Sequence, residues 1–209
     1  MTNSNFINNT NKVSGTWTLG GAVHAYGAWT QSGGSFVGNS VISDGVTSGS
    51  DAAGGGAFMV KGSTVTFTDV DFDNNSAIAS NTASGYAYGG AIMVDFSTGN
   101  STGVVRDAEL VINVVNQDLV YSGNTVSSSG TVDDYDTYGY HLNSAAAGGF
   151  LFLDRGSDAE FNIASGRTLT IGETVTNDDT DSIASSIPNT NTDVNKGKQA
   201  SITLSLIHI

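Results

Sequence analysis

The sequence predicts an all-β fold, a right-handed parallel β-helix (β-solenoid) with inserted loops of variable length. Three observations lead to this prediction. Two short motifs alternate along the chain, and the apolar residues between them recur with a period of two. Residues that fill solvated helix surfaces are scarce, whereas Thr, Val and Ser are common. Recurring motifs are typical of chains that stack similar units and bury a continuous core between them.

The first motif is a pair of glycines followed by a small or aromatic residue and then an apolar one. A glycine pair permits a corner with positive φ and lets neighbouring backbones approach closely. The first three pairs are almost evenly spaced and the fourth follows after a much longer interval, which indicates inserted loops. The pairs are Gly20-Gly21, Gly55-Gly56, Gly89-Gly90 and Gly148-Gly149.

The second motif is an aromatic residue three positions before an asparagine. Asparagine tolerates the left-handed region and can bond backbone groups at a turn, and on successive turns of a solenoid its amides can form a ladder. Exposed loops also collect Asn and Gly, but four recurrences beside an aromatic residue favour the stacked arrangement. The motifs begin at Phe6, Phe36, Phe72 and Tyr121 and end at Asn9, Asn39, Asn75 and Asn124.

Between the motifs the pattern is that of short strands. Val65 and Phe67 share one face of residues 63–68, and the phase resets after Asp69, where Val70 and Phe72 become the apolar pair. Such a reset predicts two short strands joined at a corner. Further strands are predicted at residues 110–114, 150–153, 161–163 and 169–171.

Composition limits the classes of partner. The chain has 7 Lys plus Arg against 20 Asp plus Glu, a formal charge of −13. We therefore expect no nucleic-acid partner, because binding to phosphate requires basic residues. Hydrophobic residues make up 38 %, enough for a core, and cysteine is absent. No run of apolar residues is long enough to span a bilayer, so membrane insertion by this segment is not expected.

The alternation of Gly-Gly-Ala-Ile and Phe-x-x-Asn motifs, clearest in residues 55–75 and 89–92, resembles the repeats of polymorphic outer membrane proteins and related autotransporter adhesins. Residues 161–204 resemble a passage late in many autotransporter passengers. The resemblance covers most of the chain. It implies a segment exported by type V secretion to the bacterial cell surface and tethered, in the full-length protein, to an outer-membrane β-barrel. It also implies adhesion to host-cell, glycan or neighbouring-cell ligands.

The expected organisation is a single solenoid segment over residues 1–203, with a long loop insertion at about 127–147. Residues 1–5 have neither a basic nor an apolar region, so no signal peptide is predicted and the chain is expected to be a fragment. Residues 204–209 match one reading frame of a sequencing adapter and are expected to be a non-native tail. The alternative is a genuine terminal strand, because Leu206, Ile207 and Ile209 suit one.

Two kinds of function are considered, and the non-enzymatic one is preferred. The first is a non-enzymatic, rigid adhesive segment that presents binding loops. The second is a carbohydrate-active β-helix enzyme, a polysaccharide lyase or hydrolase. Its candidate residues are Asp69, Asp71 and Asp73, which alternate along a predicted strand, with Arg106 as a candidate base. A solvated acidic face is the preferred interpretation of the aspartates, because runs of charge usually form one.

The preferred binding region is the inserted loop, where aromatic side chains lie among acidic ones. Tyrosines on a protruding loop can stack on sugar rings or contact a protein ligand. The alternative is a loop that is disordered or packs only on itself. The candidates are Tyr135, Tyr138, Tyr140 and His141. No cofactor and no metal site is predicted, although the loop's acidic residues and those of residues 178–181 would suit calcium. His24 has no second ligand at metal spacing, so a structural role is expected for it.

Overall fold

The computed structural model contains β-strands and no helix among the residues that it describes. These are residues 1–14, 17–44, 51–80, 85–95, 97–98, 105–106, 108–129, 146–154, 157–173, 175–177 and 201–207. The all-β prediction is confirmed. The described part of the chain contains no helix that is long and apolar enough to cross a membrane.

The chain passes repeatedly through the same set of sheets, and each passage is called a rung. Rung 1 contains β1 (Thr2–Ile7), β2 (Thr10–Val13), β3 (Thr18–Leu19) and β4 (Val23–Ala25). Rung 2 contains β5 (Trp29–Val37), β6 (Ser40–Ser43), β7 (Asp51–Gly54) and β8 (Phe58–Lys61). Rung 3 contains β9 (Thr64–Thr68), β10 (Asp71–Asp73), β11 (Ser76–Ala79), β12 (Gly85–Tyr88) and β13 (Ile92–Asp95).

The later rungs repeat this order with additions. A two-stranded antiparallel hairpin precedes rung 4 and consists of β14 (Ser97–Thr98) and β15 (Val105–Arg106). Rung 4 contains β16 (Ala108–Val114), β17 (Leu119–Tyr121), β18 (Thr125–Ser128), β19 (Ala146–Ala147) and β20 (Leu151–Leu153). Rung 5 contains β21 (Ser157–Ala164), β22 (Leu169–Ile171) and β23 (Val175–Asn177), and β24 (Ser201–Ile207) follows it.

Equivalent strands of successive rungs pair in parallel, which makes four main stacked sheets. Sheet 1 has the order β1-β5-β9-β16-β21-β24, with β10 also pairing with β5. Sheet 2 is β2-β6-β11-β18, sheet 3 is β3-β7-β12-β19, and sheet 4 is β4-β8-β13-β20-β23. A smaller pair joins β17 to β22. This solenoid-like arrangement of stacked parallel strands is the one that the alternating motifs predict.

The phase reset after Asp69 corresponds to a corner between β9 and β10. Val65 and Phe67 on one side of the corner are fully buried, and Val70 and Phe72 on the other are at most 1 % exposed. Asp69 itself has a φ of 51°. The two apolar pairs therefore face the same interior from two strands at an angle, which is what the change of phase predicts.

The main core lies between sheets 1 and 4, and its largest side chains are aromatic. Phe36, Phe58 and Phe67 contact one another edge to face, with ring centroids 5.1–5.8 Å apart. The same core extends through rung 4 to Tyr121 and Phe150, whose rings are stacked at 4.7 Å. Edge-to-face and offset rings are the preferred aromatic arrangements, so this packing adds to the area that it buries.

Sheets 2 and 3 face each other through a thin layer of small side chains. This layer consists of Val41, Ala53, Ala77, Ala79 and Ala87. On its other side sheet 3 meets the outer face of sheet 4 through a separate apolar cluster of Ala52, Met59, Tyr86, Tyr88, Met93 and Phe152. The chain therefore leaves the main core along sheet 2 and returns to it along sheet 3.

The last described strand, β24, extends into the expected tail. β24 pairs with β21 along its whole length, from Ser201 opposite Asp158 to Ile207 opposite Ala164. Residues 204–207 thus continue a strand that begins before them, and residues 208–209 lie outside the described part. The assignment of residues 204–209 to a non-native tail stays a prediction, as does the single segment over residues 1–203.

Candidate functional site

The asparagines of the second motif form one continuous hydrogen-bonded ladder. The side-chain amides of Asn9, Asn39 and Asn75 each donate to Oδ1 of the next asparagine, over 2.8, 3.0 and 2.9 Å. Their backbone N–H groups donate to the same oxygens over 3.0–3.1 Å. Asn39 and Asn75 are fully buried, so these bonds form where water cannot replace them.

The ladder is also tied to the aromatic half of the motif. The side-chain amides of Asn39, Asn75 and Asn124 each donate a hydrogen bond of 2.9 Å to a carbonyl in the rung before. These carbonyls belong to Phe6, Phe36 and Phe72, the residues that open the preceding motifs. The spacing of three residues is therefore needed because it brings the side-chain amide of the asparagine to the carbonyl of the aromatic residue in the preceding rung.

The ladder ends at a residue that the motif pattern does not include. The backbone N–H of Asn124 donates to Glu173 Oε1 over 3.1 Å, so a carboxylate takes the position of the next amide oxygen. Ile171 pairs with Tyr121, and Glu173 follows Ile171 by two residues where Asn124 follows Tyr121 by three. The Glu side chain is one carbon longer than that of Asn, and it reaches the N–H of Asn124 from a position one residue earlier in the motif. Because Glu173 does not fit the motif of an aromatic residue three positions before an asparagine, the motif does not identify it.

The aromatic residues stack beneath the ladder. Phe6, Phe36 and Phe72 lie with ring planes within 4° of parallel and centroids 4.7 and 5.0 Å apart. Tyr121 instead meets Phe72 edge to face at 5.6 Å, and its hydroxyl donates to the carbonyl of Val70 over 3.1 Å. Burial raises the pKa of the Tyr121 hydroxyl well above its usual range, and nearby carboxylates, Asp71 foremost, raise it further.

The two glycines of each pair have different roles. The first, Gly20, Gly55, Gly89 or Gly148, has a φ between 61° and 71°, a conformation that other residues rarely adopt. The second is required by close packing: a Cβ on Gly21, Gly56 or Gly90 would overlap the carbonyl oxygen of the second glycine of the next rung. Gly149 supplies that oxygen for Gly90.

Asp69 does not share a strand with the other two aspartates, in contrast to the predicted row of three. It lies at the corner before β10 and is 7 % exposed. Its Oδ1 accepts the N–H of Val115 over 2.8 Å, and its Oδ2 accepts the N–H and the amide of Asn116 over 3.1 and 2.6 Å. Asp69 therefore holds the turn of the next rung, and the alternation of residue types could not reveal this because the partners are far away in sequence.

Asp73 and Asp71 both lie on β10. Asp73 Oδ1 accepts the N–H and the hydroxyl of Ser122 over 3.1 and 3.2 Å, again a bond to the next rung. Burial raises the pKa of the Asp71 carboxyl, and the neighbouring carboxylates of Asp73 and Asp69 raise it further. Among the three, Asp71 is the carboxylate with no hydrogen bond to the described part of the chain.

Arg106 is not brought to these aspartates along the backbone. It lies in β15, opposite Ser97 of β14. The strand partners of Asp71 and Asp73 are instead Ser35 and Val37 on one side, with Ser122 opposite Asp73 on the other. The acid–base arrangement considered from sequence is therefore reduced to one half-buried carboxylate.

The long insertion is described only at its two ends. β18 ends at Ser128 in sheet 2 and β19 begins at Ala146 in sheet 3. The insertion at about 127–147 stays a prediction. Tyr135, Tyr138, Tyr140 and His141 lie outside the described residues, and so do the acidic residues that would suit calcium. Among the residues that the structure describes, no three His, Asp or Glu side chains form a group that could hold a metal ion.

One ion pair was not predicted from the sequence although it follows the same repeat. Lys61 Nζ lies 2.6 Å from Asp95 Oδ2, and the two side chains are 26 % and 9 % exposed. Each residue stands six positions after the first glycine of its rung, Gly55 or Gly89. Aligning the rungs on their glycine pairs would have placed the two charges side by side.

Comparison with models of protein families, with curated proteins and with solved structures finds no match to this chain.

Proposed function

We propose that the chain is a rigid, non-enzymatic segment of a surface-displayed adhesive protein, a right-handed parallel β-helix of the autotransporter passenger type that presents binding loops. One observation carries the proposal. Each segment that joins sheet 2 to sheet 3 begins at the end of a sheet 2 strand and finishes at the start of a sheet 3 strand. These segments nevertheless differ greatly in length. They are residues 14–17, 44–50, 80–84 and 129–145.

Rigidity is supported by the register of the stack. Strands on both sides of these segments stay paired across rungs in spite of their unequal lengths, as between Ala77 and Val126 before the longest segment and Met93 and Phe152 after it. The buried asparagine ladder joins rungs 1 to 4 directly. A scaffold that tolerates insertions at one edge without losing register is suited to holding variable loops at fixed positions.

The partner class follows from charge and resemblance. A net charge of −13 opposes binding to nucleic acid or to an anionic membrane surface. Together with the resemblance to autotransporter adhesins, this favours ligands on host cells, on neighbouring cells or in surface glycans. The tyrosines of residues 135–140 are the proposed contact residues, because aromatic rings bury much area with few rotatable bonds.

The test exchanges the long insertion for a short one. Residues 129–145 are replaced by residues 80–84, the segment between the same two sheets in rung 3, and binding to cultured cells and to abiotic surfaces is measured. We expect binding to be lost while the β circular dichroism of the full chain is retained. As a matched control, replacing residues 44–50 by residues 80–84 should leave binding intact. Unchanged binding without residues 129–145 would reject the loop assignment.

The rival proposal, a polysaccharide lyase or hydrolase, has less support because Asp69 and Asp73 bond to the next rung. It is tested by incubating the full chain with a polysaccharide panel, with and without calcium. Release of unsaturated or reducing ends that disappears in Asp71→Asn would replace the adhesive proposal by the enzymatic one.

A further inference from the structure

A small group of polar and aromatic side chains lies on the outer face of sheet 4. Val23 and Ala25 of β4 belong to the main core or pack against it, so His24 between them faces the opposite side of the sheet. The His24 ring packs against that of Tyr26, with centroids 4.4 Å apart and planes tilted by 31°. Tyr26 is nevertheless 63 % exposed, which leaves a large part of an anchored aromatic ring open to solvent.

The ion pair of the next two rungs continues this group along the stack. Ala25 pairs with Val60, and Lys61 pairs with Asp95. Tyr26 follows Ala25 directly, so continuing that register one residue beyond β4 places Tyr26 opposite Lys61, which is itself opposite Asp95. Neighbouring rungs lie roughly 4.8 Å apart. An aromatic ring, an ammonium group and a carboxylate therefore follow one another from rung to rung at the ends of the sheet 4 strands.

The electrostatics of His24 place it beside the same pair. Burial lowers the pKa of the His24 imidazole, the positive charge of Lys61 lowers it further, and Asp95 opposes this shift. At neutral pH the ring is therefore uncharged. It supports Tyr26 as a flat surface without adding a second cation to the group.

Lys61 and His24 keep hydrogen-bonding positions that no described residue occupies. An ammonium has three N–H donors, and within the described part of the chain Lys61 donates to Asp95 alone. The Lys61 side chain is 26 % exposed and that of Asp95 is 9 % exposed. His24 Nε2 is buried and lacks a hydrogen-bond partner in the same part of the chain. Open donors beside an exposed ring are what a polar ligand with one apolar face would contact.

We propose that Tyr26, Lys61 and Asp95, with His24 supporting Tyr26, form a binding site for a neutral glycan. The C–H face of a pyranose ring packs on Tyr26, and two of its hydroxyls bridge the ion pair, one accepting from the Lys61 ammonium and one donating to the Asp95 carboxylate. Neutral sugars fit better than uronic acids because Asp95 already neutralises Lys61 and the whole chain carries a charge of −13. This site does not depend on residues 129–145, so it is independent of the loop assignment above.

The test uses the full chain and five defined oligosaccharides. Cellotetraose, chitotetraose, laminaritetraose and mannotetraose are the neutral probes, and trigalacturonate is the acidic one. Binding is measured by isothermal titration calorimetry and by saturation-transfer difference NMR. At least one neutral probe should bind, and Tyr26→Ala should weaken that binding about tenfold, equivalent to roughly 1.4 kcal/mol. Tyr26→Phe should retain it because the ring is kept.

Two controls distinguish binding at this site from binding elsewhere on the chain. Val120→Ala truncates another exposed apolar side chain, 56 % exposed and on β17, and should leave binding unchanged. The chain in which residues 80–84 replace residues 129–145 should also bind the neutral probe.

Binding of no neutral probe, binding of trigalacturonate alone, or equal binding by Tyr26→Ala would each overturn the proposal. Loss of glycan binding on exchange of residues 129–145, with Tyr26→Ala unaffected, would overturn it in favour of the loop.

Discussion

Gly56 lies so close to Gly90 of the next rung that a Cβ on Gly56 would overlap the Gly90 carbonyl oxygen. The same Cβ would lie 2.6 Å from the backbone nitrogen of Ser76, the residue that follows the ladder asparagine Asn75. The two motifs therefore alternate in the sequence because they meet in the fold: the corner that leaves sheet 3 packs on the corner that enters sheet 2.

This packing predicts the effect of a single methyl group. Gly56→Ala should destabilise the chain by about 3 kcal/mol or more, because both neighbours are backbone and cannot rotate away. Urea unfolding followed by circular dichroism measures the loss. Gly27→Ala is the matched control, since nothing lies within 4 Å of its Cβ, and it should change stability by less than about 0.5 kcal/mol. Equal effects of the two substitutions would contradict the close approach.

The asparagine ladder predicts a large difference between two chemically similar positions. Asn75→Ala removes an acceptor for Asn39 and a donor to Asn124 in a fully buried place. It should cost about 3 kcal/mol or more, because several buried groups lose their partners. Asn113 also bridges neighbouring rungs, contacting Thr68 and Asn162, but on the half-exposed outer face of sheet 1.

Asn113→Ala should therefore cost less than about 1 kcal/mol, because water can replace its bonds. The comparison is made in the same urea series. If Asn113→Ala were as damaging as Asn75→Ala, burial would not be what makes the ladder important.

The buried hydroxyl of Tyr121 predicts a smaller effect. Phenylalanine occupies the equivalent position in three other motifs, so Tyr121→Phe should fit without strain. It removes the donor to the Val70 carbonyl and should lower the free energy of unfolding by about 1 kcal/mol. Tyr26→Phe removes an exposed hydroxyl and should have no measurable effect. A neutral or stabilising Tyr121→Phe would mean that the Val70 carbonyl does not need this donor.

The raised pKa of Asp71 leads us to expect that replacing this residue stabilises the chain in a pH-dependent way. Its pKa in the folded chain is raised, so the folded state binds this proton more tightly than the unfolded state does. The stabilising contribution is complete below the unfolded pKa of about 3.9 and is lost as pH rises through the folded pKa. Asp71→Asn should therefore stabilise the chain at pH 7 by up to about 0.5 kcal/mol and should have no such effect near pH 3.

The matched control for Asp71→Asn is Glu160→Gln, which removes the same formal charge from a half-exposed position of β21. Thermal unfolding at pH 3, 5 and 7 measures both variants. A larger gain for Glu160→Gln at pH 7 would assign the effect to net charge rather than to the surroundings of Asp71.

The glycine and asparagine motifs were enough to predict the stacked strands, because the chemistry of each can be recognised from a few neighbouring residues. Gly55 is needed for its positive φ, and Asn75 follows Phe72 at the distance that places an amide over a lower backbone. The aspartates were harder to interpret. Asp69 and Asp73 look alike in sequence, yet each is bonded to a turn of rung 4 that is far away along the chain.

By itself the sequence determined which residues face the interior and where the corners lie, because period-two alternation and turn chemistry depend on near neighbours. Only the tertiary structure decided several of the contacts between rungs. Asp69 and Asp73 bond to turns of rung 4, and Glu173 takes the place of a fifth asparagine. The physical reason is that the sequence separation between partners in successive rungs depends on how many residues lie between the strands of sheets 2 and 3. That number varies from rung to rung, and only packing of the core and its backbone corners brings the strands back into line.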